Sequence, residues 1–203
     1  MLKKRILSIV LALTMLMVPG AYAAQPAKDD MHGVWVASVH NIDFPSEQGM
    51  TADQLKAEAD TELDNIAAMG LNTVFLQVRP SADALYPSEL FPWSRYVSGT
   101  AGQAPDSSFD VLGYWVTAAH ERGLQLHAWI NPYRITIDGE DEWNAIPDSS
   151  PAKQHPEWVV KYNDNYYFDP GIPAVQQLVV DGAAEIVKNY DVDGIHLDDY
   201  FYP

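Results

Sequence analysis

The stretch that decides the fold lies near the end of the chain and reads Asp193-Gly194-Ile195-His196-Leu197-Asp198-Asp199-Tyr200. An Asp-Gly pair is a turn signal, and the residues after it alternate like a short strand. Because successive side chains of a strand point to opposite faces, Ile195 and Leu197 share one face, and His196, Asp198 and Tyr200 share the other. An isolated Asp-Asp pair more often begins a solvated loop, so the rest of the chain decides whether this strand end is a site.

The amino terminus has the pattern of a Sec-type signal peptide. Basic residues at positions 3–5 precede a mostly apolar run over 6–18, and Ala21-Tyr22-Ala23 offers a small-x-small cleavage site. The apolar run is shorter than the roughly 20 residues that span a bilayer, and the chain has no cysteine to carry a lipid anchor. We therefore predict a signal peptide over 1–23, a polar spacer over 24–31, and a secreted protein with no membrane anchor after cleavage.

The charge excludes two classes of partner. Loss of Lys3, Lys4 and Arg5 with the signal peptide takes the formal net charge from −16 to −19. Such a surface repels nucleic acid and anionic membranes, and no basic run offsets it. The absence of cysteine also excludes a disulfide framework, so the domain is expected to be held by its hydrophobic core.

Strand and helix patterns alternate along the chain. The Thr51-Ala52-Asp53-Gln54 stretch has the spacing of a capping box, and apolar residues then recur at helical intervals until Gly70. The predicted strands cover 33–37, 72–79, 125–130 and 194–198, and the predicted helices cover 51–70, 111–123 and 175–187. Four strands joined through three helices imply right-handed crossovers and a parallel sheet.

The two faces of the predicted strands differ in polarity. In the second strand, for example, Gln77 and Arg79 alternate with Leu76 and Val78. A doubly wound sheet is covered by helices on both faces and should be apolar on both. Polar residues on one face suit a barrel lumen, whose mouth at the carboxyl ends of the strands holds the active site in (β/α)8 proteins. We predict an α/β fold of the (β/α)8 TIM-barrel type.

The barrel predicted from this sequence has only four βα units. A complete one needs eight strands, typically on about 250 residues, so residues 32–203 are interpreted as the N-terminal half. Half a barrel exposes two sheet edges, which favours aggregation. We expect the sequence to be a fragment of a longer protein; the alternative is that two halves pair as a dimer, and the oligomeric state is left open.

The predicted loops on the carboxyl side are long and rich in aromatic residues, over 80–110 and 131–173. Loops of this length inside a compact domain are usually functional. Aromatic rings above an acidic cleft suit sugars, whose C–H faces are apolar while their hydroxyls need polar partners. Any single ring more often packs beneath its own loop. The expected partner is a glycan.

Polar residues gather at the four predicted strand ends, which meet at one edge of a parallel sheet and so describe one rim. His40 is one residue of this rim. The candidate substrate contacts are Asn41 and Asp43 after the first strand, Gln77, Arg79 and Asp83 at the second, His127, Trp129, Asn131, Tyr133 and Arg134 at the third, and His196 and Tyr200 at the fourth. For those of the third strand, a hydrogen-bonded network that only stabilises the lumen is an equally good interpretation.

Four ordered blocks of sequence resemble a known family, and the resemblance covers 31–203. The blocks are Gly33-Val34-Trp35-Val36 with Asn41-Ile42-Asp43-Phe44-Pro45-Ser46, Phe75-Leu76-Gln77-Val78-Arg79-Pro80 with Asp83-Ala84-Leu85-Tyr86, His127-Ala128-Trp129-Ile130-Asn131-Pro132-Tyr133-Arg134, and His196-Leu197-Asp198-Asp199-Tyr200-Phe201-Tyr202-Pro203. They are similar to the bacterial glycosyl-hydrolase-like family of exported TIM-barrel proteins, which includes the enterobacterial hydrolase of denuded peptidoglycan glycans.

The resemblance implies a (β/α)8 barrel that acts on glycosidic bonds, with cell-wall glycan lacking stem peptides as the expected substrate. The sequence departs from the family in two ways. It ends where the family's barrel is half complete, which puts activity of this chain alone in question. Its signal peptide also lacks the lipoprotein cysteine of the enterobacterial member, which changes only the expected localisation.

Most glycosidases use two carboxyl groups, one protonated as the acid and one ionised as the nucleophile or base. Asp198 is the first candidate for the ionised group because strand parity aims it inward, and Asp199 is the second. In related amylase-like barrels the nucleophile ends strand four and a basic residue stands two positions earlier, which here is His196. Together with Arg79, His196 is expected to keep Asp198 ionised by charge and hydrogen bonding.

The acid partner is not evident in the sequence. Asp43 and Asp83 are available, but such barrels commonly carry the acid on a later strand, so we expect it beyond Pro203.

Three other functions compete with this interpretation. A non-catalytic glycan-binding module would have the same aromatic rim without an acid pair. Metal-dependent hydrolysis could use His127, His196 and Asp198, but no His-x-x-x-His or cysteine pair offers a tight ligand spacing. Serine hydrolase chemistry lacks a Gly-x-Ser-x-Gly elbow. We expect neither a metal nor a cofactor.

Overall fold

The computed structural model describes residues 30–198 of the 203-residue chain. The predicted signal peptide over 1–23 and nearly all of the spacer lie outside the described residues, as do Asp199 and Tyr200. Within 30–198, no helix combines the length and the apolar character needed to cross a bilayer.

Strands and helices alternate as predicted, with additional short elements in the long loops. In chain order they are β1 (Gly33–Val36), α1 (Ala52–Ala68), β2 (Thr73–Arg79), α2 (Arg95–Ser98), α3 (Val111–Glu121), β3 (Gln125–Ile130), α4 (Gly139–Ala145), α5 (Pro151–Gln154), β4 (Val159–Tyr162), β5 (Asn165–Phe168), α6 (Pro173–Asn189) and β6 (Gly194–Leu197). The four predicted strands are β1, β2, β3 and β6, and they form one sheet in that order with every pairing parallel.

The first long helix begins where its capping box predicts. The backbone N–H of Gln54 donates to the Thr51 hydroxyl at 3.3 Å, and the Gln54 side chain accepts from the backbone N–H of Thr51 at 2.9 Å. These two bonds satisfy donors that a helix start otherwise leaves unpaired. The helix then buries one stripe, which consists of Leu55, Ala59, Leu63 and Ile66.

The core lies between the sheet and the helices. Val74, Leu76, Val78, Leu126, Ala128 and Ile130 are fully buried on the helix-facing side of β2 and β3. Trp115 of α3 packs edge-on against Phe44, with ring centroids 4.9 Å apart. Full burial of a large aliphatic side chain contributes about 1.5–3 kcal/mol, so this layer is the main source of stability.

The inner face of the sheet carries rings instead of aliphatic side chains. Trp35 on β1 donates its indole N–H to Nε2 of His196 on β6 at 3.2 Å, although β2 and β3 lie between them. In a flat sheet these two strands would be roughly 14 Å apart. The sheet is therefore strongly curved, as the wall of a barrel is.

A bulge in β2 overturns one prediction about the inner face. Gln77 pairs with Trp129 and Arg79 pairs with Ile130, so the second strand has one residue more than its partner here. A bulge of this kind re-aims the side chains beyond it. Arg79 was predicted to face the lumen with Gln77; instead its guanidinium lies 3.5 Å from the centre of the Phe91 ring, against Gly182 of α6.

The loop predicted over 131–173 contains an antiparallel hairpin that the sequence analysis missed. In this hairpin β4 pairs with β5, and Asn163 and Asp164 at the turn both have positive φ, at 45° and 68°. Two such residues are typical of a tight hairpin turn. The hairpin packs over a small separate core that includes Ile135, Phe168 and Val175, so the Phe168 ring is buried beneath its own loop and several other loop rings are partly buried there.

Candidate active site

A chain of hydrogen bonds crosses all four strand ends, with the Gln77 side chain at its centre. Its amide oxygen accepts from the backbone N–H groups of Ser38 and Val39 at 2.9 and 3.0 Å. Its amide nitrogen donates to Oδ1 of Asn131 at 2.6 Å, and Asn131 in turn donates to the backbone carbonyl of Asp198. Gln77 and Asn131 are 1% and 2% exposed, so their structure fits the network interpretation; a substrate role for either stays a prediction.

Asp198 directly follows β6, with its main chain hydrogen-bonded and the residue exposed. Its backbone N–H donates to the carbonyl of Ile130 at 3.2 Å, and its carbonyl accepts from Asn131. The residue is exposed. These two hydrogen bonds fix the main chain of Asp198 at the rim. Its predicted catalytic role is not tested by this geometry, and Asp199 and Tyr200 lie outside the described residues.

Rings line the inner face below Asp198. The His196 ring lies 5.1 Å from that of Phe75 and 6.2 Å from that of Trp129. The indole nitrogen of Trp129 is buried and has no hydrogen-bond partner among the described residues. As predicted, His127, Trp129 and His196 share this face, together with Trp35.

His127 is held close to β6 by the absence of a side chain there. A Cβ at Gly194 would lie 2.4 Å from Nδ1 of His127, so only glycine allows this approach. Burial lowers the pKa of His127, Asp193 opposes that shift, and His196 adds to it. The imidazole is therefore expected to be neutral at neutral pH, able to donate from one nitrogen and accept at the other.

The two predicted contacts after β1, Asn41 and Asp43, form hydrogen bonds with backbone atoms. His40 and Asn41 have left-handed backbones, with φ of 52° and 54°, a strained conformation that clusters at functional sites. The Asn41 amide donates to the carbonyls of Pro45 and Tyr96 at 2.7 and 2.8 Å. Asp43 accepts from the backbone N–H of Ala37 at 2.8 Å. Their roles toward substrate stay predictions.

The position of Arg79 differs from the expectation. Arg79 is 1% exposed, and its Nε and Nη1 atoms have no hydrogen-bond partner among the described residues. Burial lowers its pKa, an effect opposed by Tyr86, Asp83 and Glu185. Because Arg79 faces the helices, the prediction that it points into the lumen together with His196 is wrong.

Arg134 joins the loops that follow β2 and β3. Its Nε and Nη2 atoms donate to the carbonyl of Pro80 at 2.9 and 2.7 Å. The neighbouring Tyr133 is half-buried, and its carbonyl accepts from the backbone N–H of Phe168 at 2.8 Å. Both residues lie in the loop region of the predicted rim, and a contact of either with substrate stays a prediction.

The Asp83 carboxyl lies among these loops. Burial raises its pKa to about 6, against opposing hydrogen bonds from Ser94 and Ser81. Nearby, Arg95 forms ion pairs with Asp138 and Glu142. The sequence analysis missed Arg95, Asp138 and Glu142, because the long loops offered no periodic pattern from which to place them.

Trp35 was also missed as an inner-face residue. The sequence contained a signal for this position, because Trp35 alternates with Val34 and Val36 along the predicted strand and so lies on the opposite face from them.

Across the described part of the chain, no three His, Asp or Glu side chains are grouped closely enough to hold a metal ion.

The curved four-stranded parallel sheet with its outer helices corresponds to part of a (β/α)8-type barrel. The model is similar to a maltogenic α-amylase, AmyB of Thermotoga neapolitana (TM-score 0.52, 17% identity, covering 85% of this chain and 40% of that one). It is also similar to α-L-fucosidase isoenzyme 2 of Paenibacillus thiaminolyticus (TM-score 0.51, 19% identity, covering 83% and 23%). At these identities the likeness confirms the predicted (β/α)8 type and concerns the fold alone.

The chain belongs to the glycosyl hydrolase-like 10 family, whose model matches residues 30–203. It is 41% identical to the glycosyl hydrolase YngK of Bacillus subtilis, over 98% of this chain and 38% of that protein. It is 36% identical to the glycosyl hydrolase DigH of Escherichia coli K12, over 88% of this chain and 43% of that protein. The predicted family resemblance is thereby confirmed, and the chain spans about two fifths of the length of these relatives.

Proposed function

We propose that the protein is an exported glycoside hydrolase that cleaves glycosidic bonds in denuded peptidoglycan glycan strands. Membership of a glycosyl hydrolase-like family supports the reaction class. The predicted signal peptide supports export, since peptidoglycan lies outside the cytoplasmic membrane. Neither a metal nor a cofactor enters the proposed chemistry.

The proposal depends on one observation, which is that Asp198 has a hydrogen-bonded main chain and an exposed position at the strand ends. Its main chain is anchored to Ile130 and Asn131 while its carboxylate is exposed at the mouth of the curved sheet. Catalytic groups of (β/α)8 enzymes come from this end of the strands. Asp198 is assigned as the ionised nucleophile or base, and the second carboxyl that such a reaction needs is expected outside residues 30–198.

The inner-face rings are assigned to substrate contact. The buried indole N–H of Trp129 has no partner among the described residues, and the rings of His196 and His127 lie on the same inner face. Hydrogen-bonding side chains beside flat rings match a sugar, which has both hydroxyls and apolar C–H faces.

The test compares Asp198→Asn with wild type in the full-length protein, by release of reducing ends from denuded glycan strands. We expect turnover to fall about 100- to 10,000-fold with glycan binding kept within a few-fold, because the change removes a reacting group and little binding surface. Asp191→Asn is the matched control, since that side chain is 97% exposed and precedes the same strand. A variant that retains turnover would refute the assignment, and binding without any turnover in wild type would favour a glycan-binding module.

A further inference from the structure

The indole of Trp35 makes a hydrogen bond that crosses the inner face of the sheet from its first strand to its last. The Nε1–H donates to Nε2 of His196 at 3.2 Å, and β2 and β3 lie between the two strands that carry these residues. The Trp35 ring also stacks on the ring of Phe75, with centroids 5.0 Å apart and planes 18° apart. The donor therefore reaches His196 from a ring that packing has already oriented.

This hydrogen bond determines where the proton of the His196 imidazole lies. An indole nitrogen only donates, so the nitrogen that it meets must accept. A protonated imidazole has a donor at both nitrogens and no acceptor. His196 therefore accepts from Trp35 only as a neutral imidazole with its proton on Nδ1, because the hydrogen bond of one ring nitrogen sets the state of the other.

The neighbours of His196 on the inner face also favour the neutral form. The rings of Phe75 and Trp129 lie 5.1 and 6.2 Å from its ring, and apolar surroundings disfavour a charged group. Burial lowers the pKa of His127 on the same face; Asp193 opposes this shift and His196 adds to it. A charge on either imidazole therefore disfavours a charge on the other.

We propose that Trp35 is a positioning residue that holds His196 neutral, with Nε2 occupied and the Nδ1–H left to donate. Among residues 30–198, Nδ1 of His196 makes no hydrogen bond. This donor is available to a substrate hydroxyl or to the carboxylate of Asp198, which is exposed two residues further along the chain. His196 was expected to act on Asp198 by charge and by hydrogen bonding; the bond from Trp35 leaves only the hydrogen bond.

Two roles are excluded for His196 while this bond is present. It is not a fixed positive charge beside Asp198, and it is not the general acid, because a neutral imidazole is too weak an acid for that task. The acid of the proposed reaction must then be a different group. This consequence rests on the proposed function, whereas the position of the His196 proton is measured without any substrate.

The test observes the two ring nitrogens of His196 by nitrogen NMR of the isotopically labelled full-length protein at about pH 8, where an unperturbed imidazole is neutral. The His196→Gln variant identifies the signals by their loss. In wild type we expect a pyridine-type shift at Nε2 and a pyrrole-type shift at Nδ1. Trp35→Phe keeps an aromatic ring against Phe75 and removes the N–H donor, so the ratio of the Nδ1–H to the Nε2–H tautomer should fall about threefold to tenfold.

Trp129→Phe is the matched control. It removes a second indole N–H beside His196, one that has no hydrogen-bond partner among the described residues, and should leave both nitrogen shifts at their wild-type values. A proton on Nε2 in wild type, an unchanged tautomer ratio in Trp35→Phe, or an equal change in both variants would overturn the inference.

Turnover of denuded glycan strands separates this inference from the proposed function. We expect Trp35→Phe to lower turnover about threefold to tenfold, since one neutral hydrogen bond no longer orients His196. A shifted tautomer with wild-type turnover leaves the proposed function standing and overturns the positioning role of Trp35. A single Nδ1–H tautomer in a wild-type protein that shows no turnover overturns the proposed function and supports the assignment of the His196 proton.

Discussion

We predict that replacing Gly182 of α6 with alanine destabilises the protein, although the change adds only a methyl group. In a helix interior, alanine is favoured over glycine by about 1 kcal/mol, so propensity alone predicts that Gly182→Ala stabilises the protein. An added Cβ, however, would lie 2.3 Å from Nη1 of Arg79 and 3.0 Å from a ring carbon of Phe91. Contact between such atoms needs roughly 3.5 Å, so the guanidinium would have to move by about 1 Å.

That movement is obstructed, because Arg79 is fully buried and the Phe91 ring already lies 3.5 Å from its central carbon. Overpacking of a dense core costs about 1–3 kcal/mol, and this clash belongs at the upper end. Subtracting the propensity gain of about 1 kcal/mol leaves a net destabilisation of about 2 kcal/mol.

Urea unfolding measures the difference, provided that the slope with denaturant is the same for both proteins. Ala184→Gly, at an exposed position of the same helix, gives the propensity difference without the clash. In the background of Arg79→Met, which has no guanidinium, Gly182→Ala should lose most of its cost. If Gly182→Ala is instead more stable than wild type by the amount that Ala184→Gly loses, the packing argument fails.

Two further predictions concern Gln77 and Asp83. Gln77→Ala should destabilise the protein by about 3–5 kcal/mol, because it leaves a cavity and removes the acceptor of the Ser38 and Val39 N–H groups; a loss below 1 kcal/mol in the same urea assay would contradict this. Burial raises the pKa of Asp83 to about 6. Between about pH 4 and pH 6 the Asp83 carboxyl is therefore ionised in the unfolded chain and protonated in the folded protein. Because the folded state binds the extra proton, the free energy of unfolding should fall by about 2–3 kcal/mol as the pH rises through this range. Asp83→Asn has no carboxyl group at this position, so its stability relative to wild type should rise between about pH 4 and pH 6. A stability difference between the two proteins that does not change with pH would contradict the raised pKa of Asp83.

The fold was predictable where a local pattern and the tertiary structure agree. The capping box at Thr51 begins α1, and the alternation along β3 buries Leu126 while His127 faces inward. A bulge breaks that agreement, because one extra residue reverses the parity of everything after it. No residue in the apolar run of β2 indicates where the bulge lies, so the direction of the Arg79 side chain could not be predicted from the sequence.

The candidate site was predictable as a location and less so as a set of roles. Parallel strands bring their carboxyl ends together whatever the details of each side chain, so the rim follows from the strand pattern. Which polar groups are used within the fold depends on backbone atoms of other loops, such as the Ser38 N–H that Gln77 holds. The hairpin was predictable in principle, since Asn163-Asp164 between two aromatic and β-branched runs is a turn signal.

The hydrogen bonds divide the rim residues into two groups with different consequences. Gln77 and Asn131 use their amides within the fold, so replacing them should affect folding before it affects binding. The Asp198 carboxylate is exposed, and Trp129 and Ser81 keep buried donors without a partner among residues 30–198. A ligand gains most from groups that folding has not already satisfied, because only these offer hydrogen bonds without breaking others. Asp198 is therefore the position where substitution should change activity while leaving stability nearly intact.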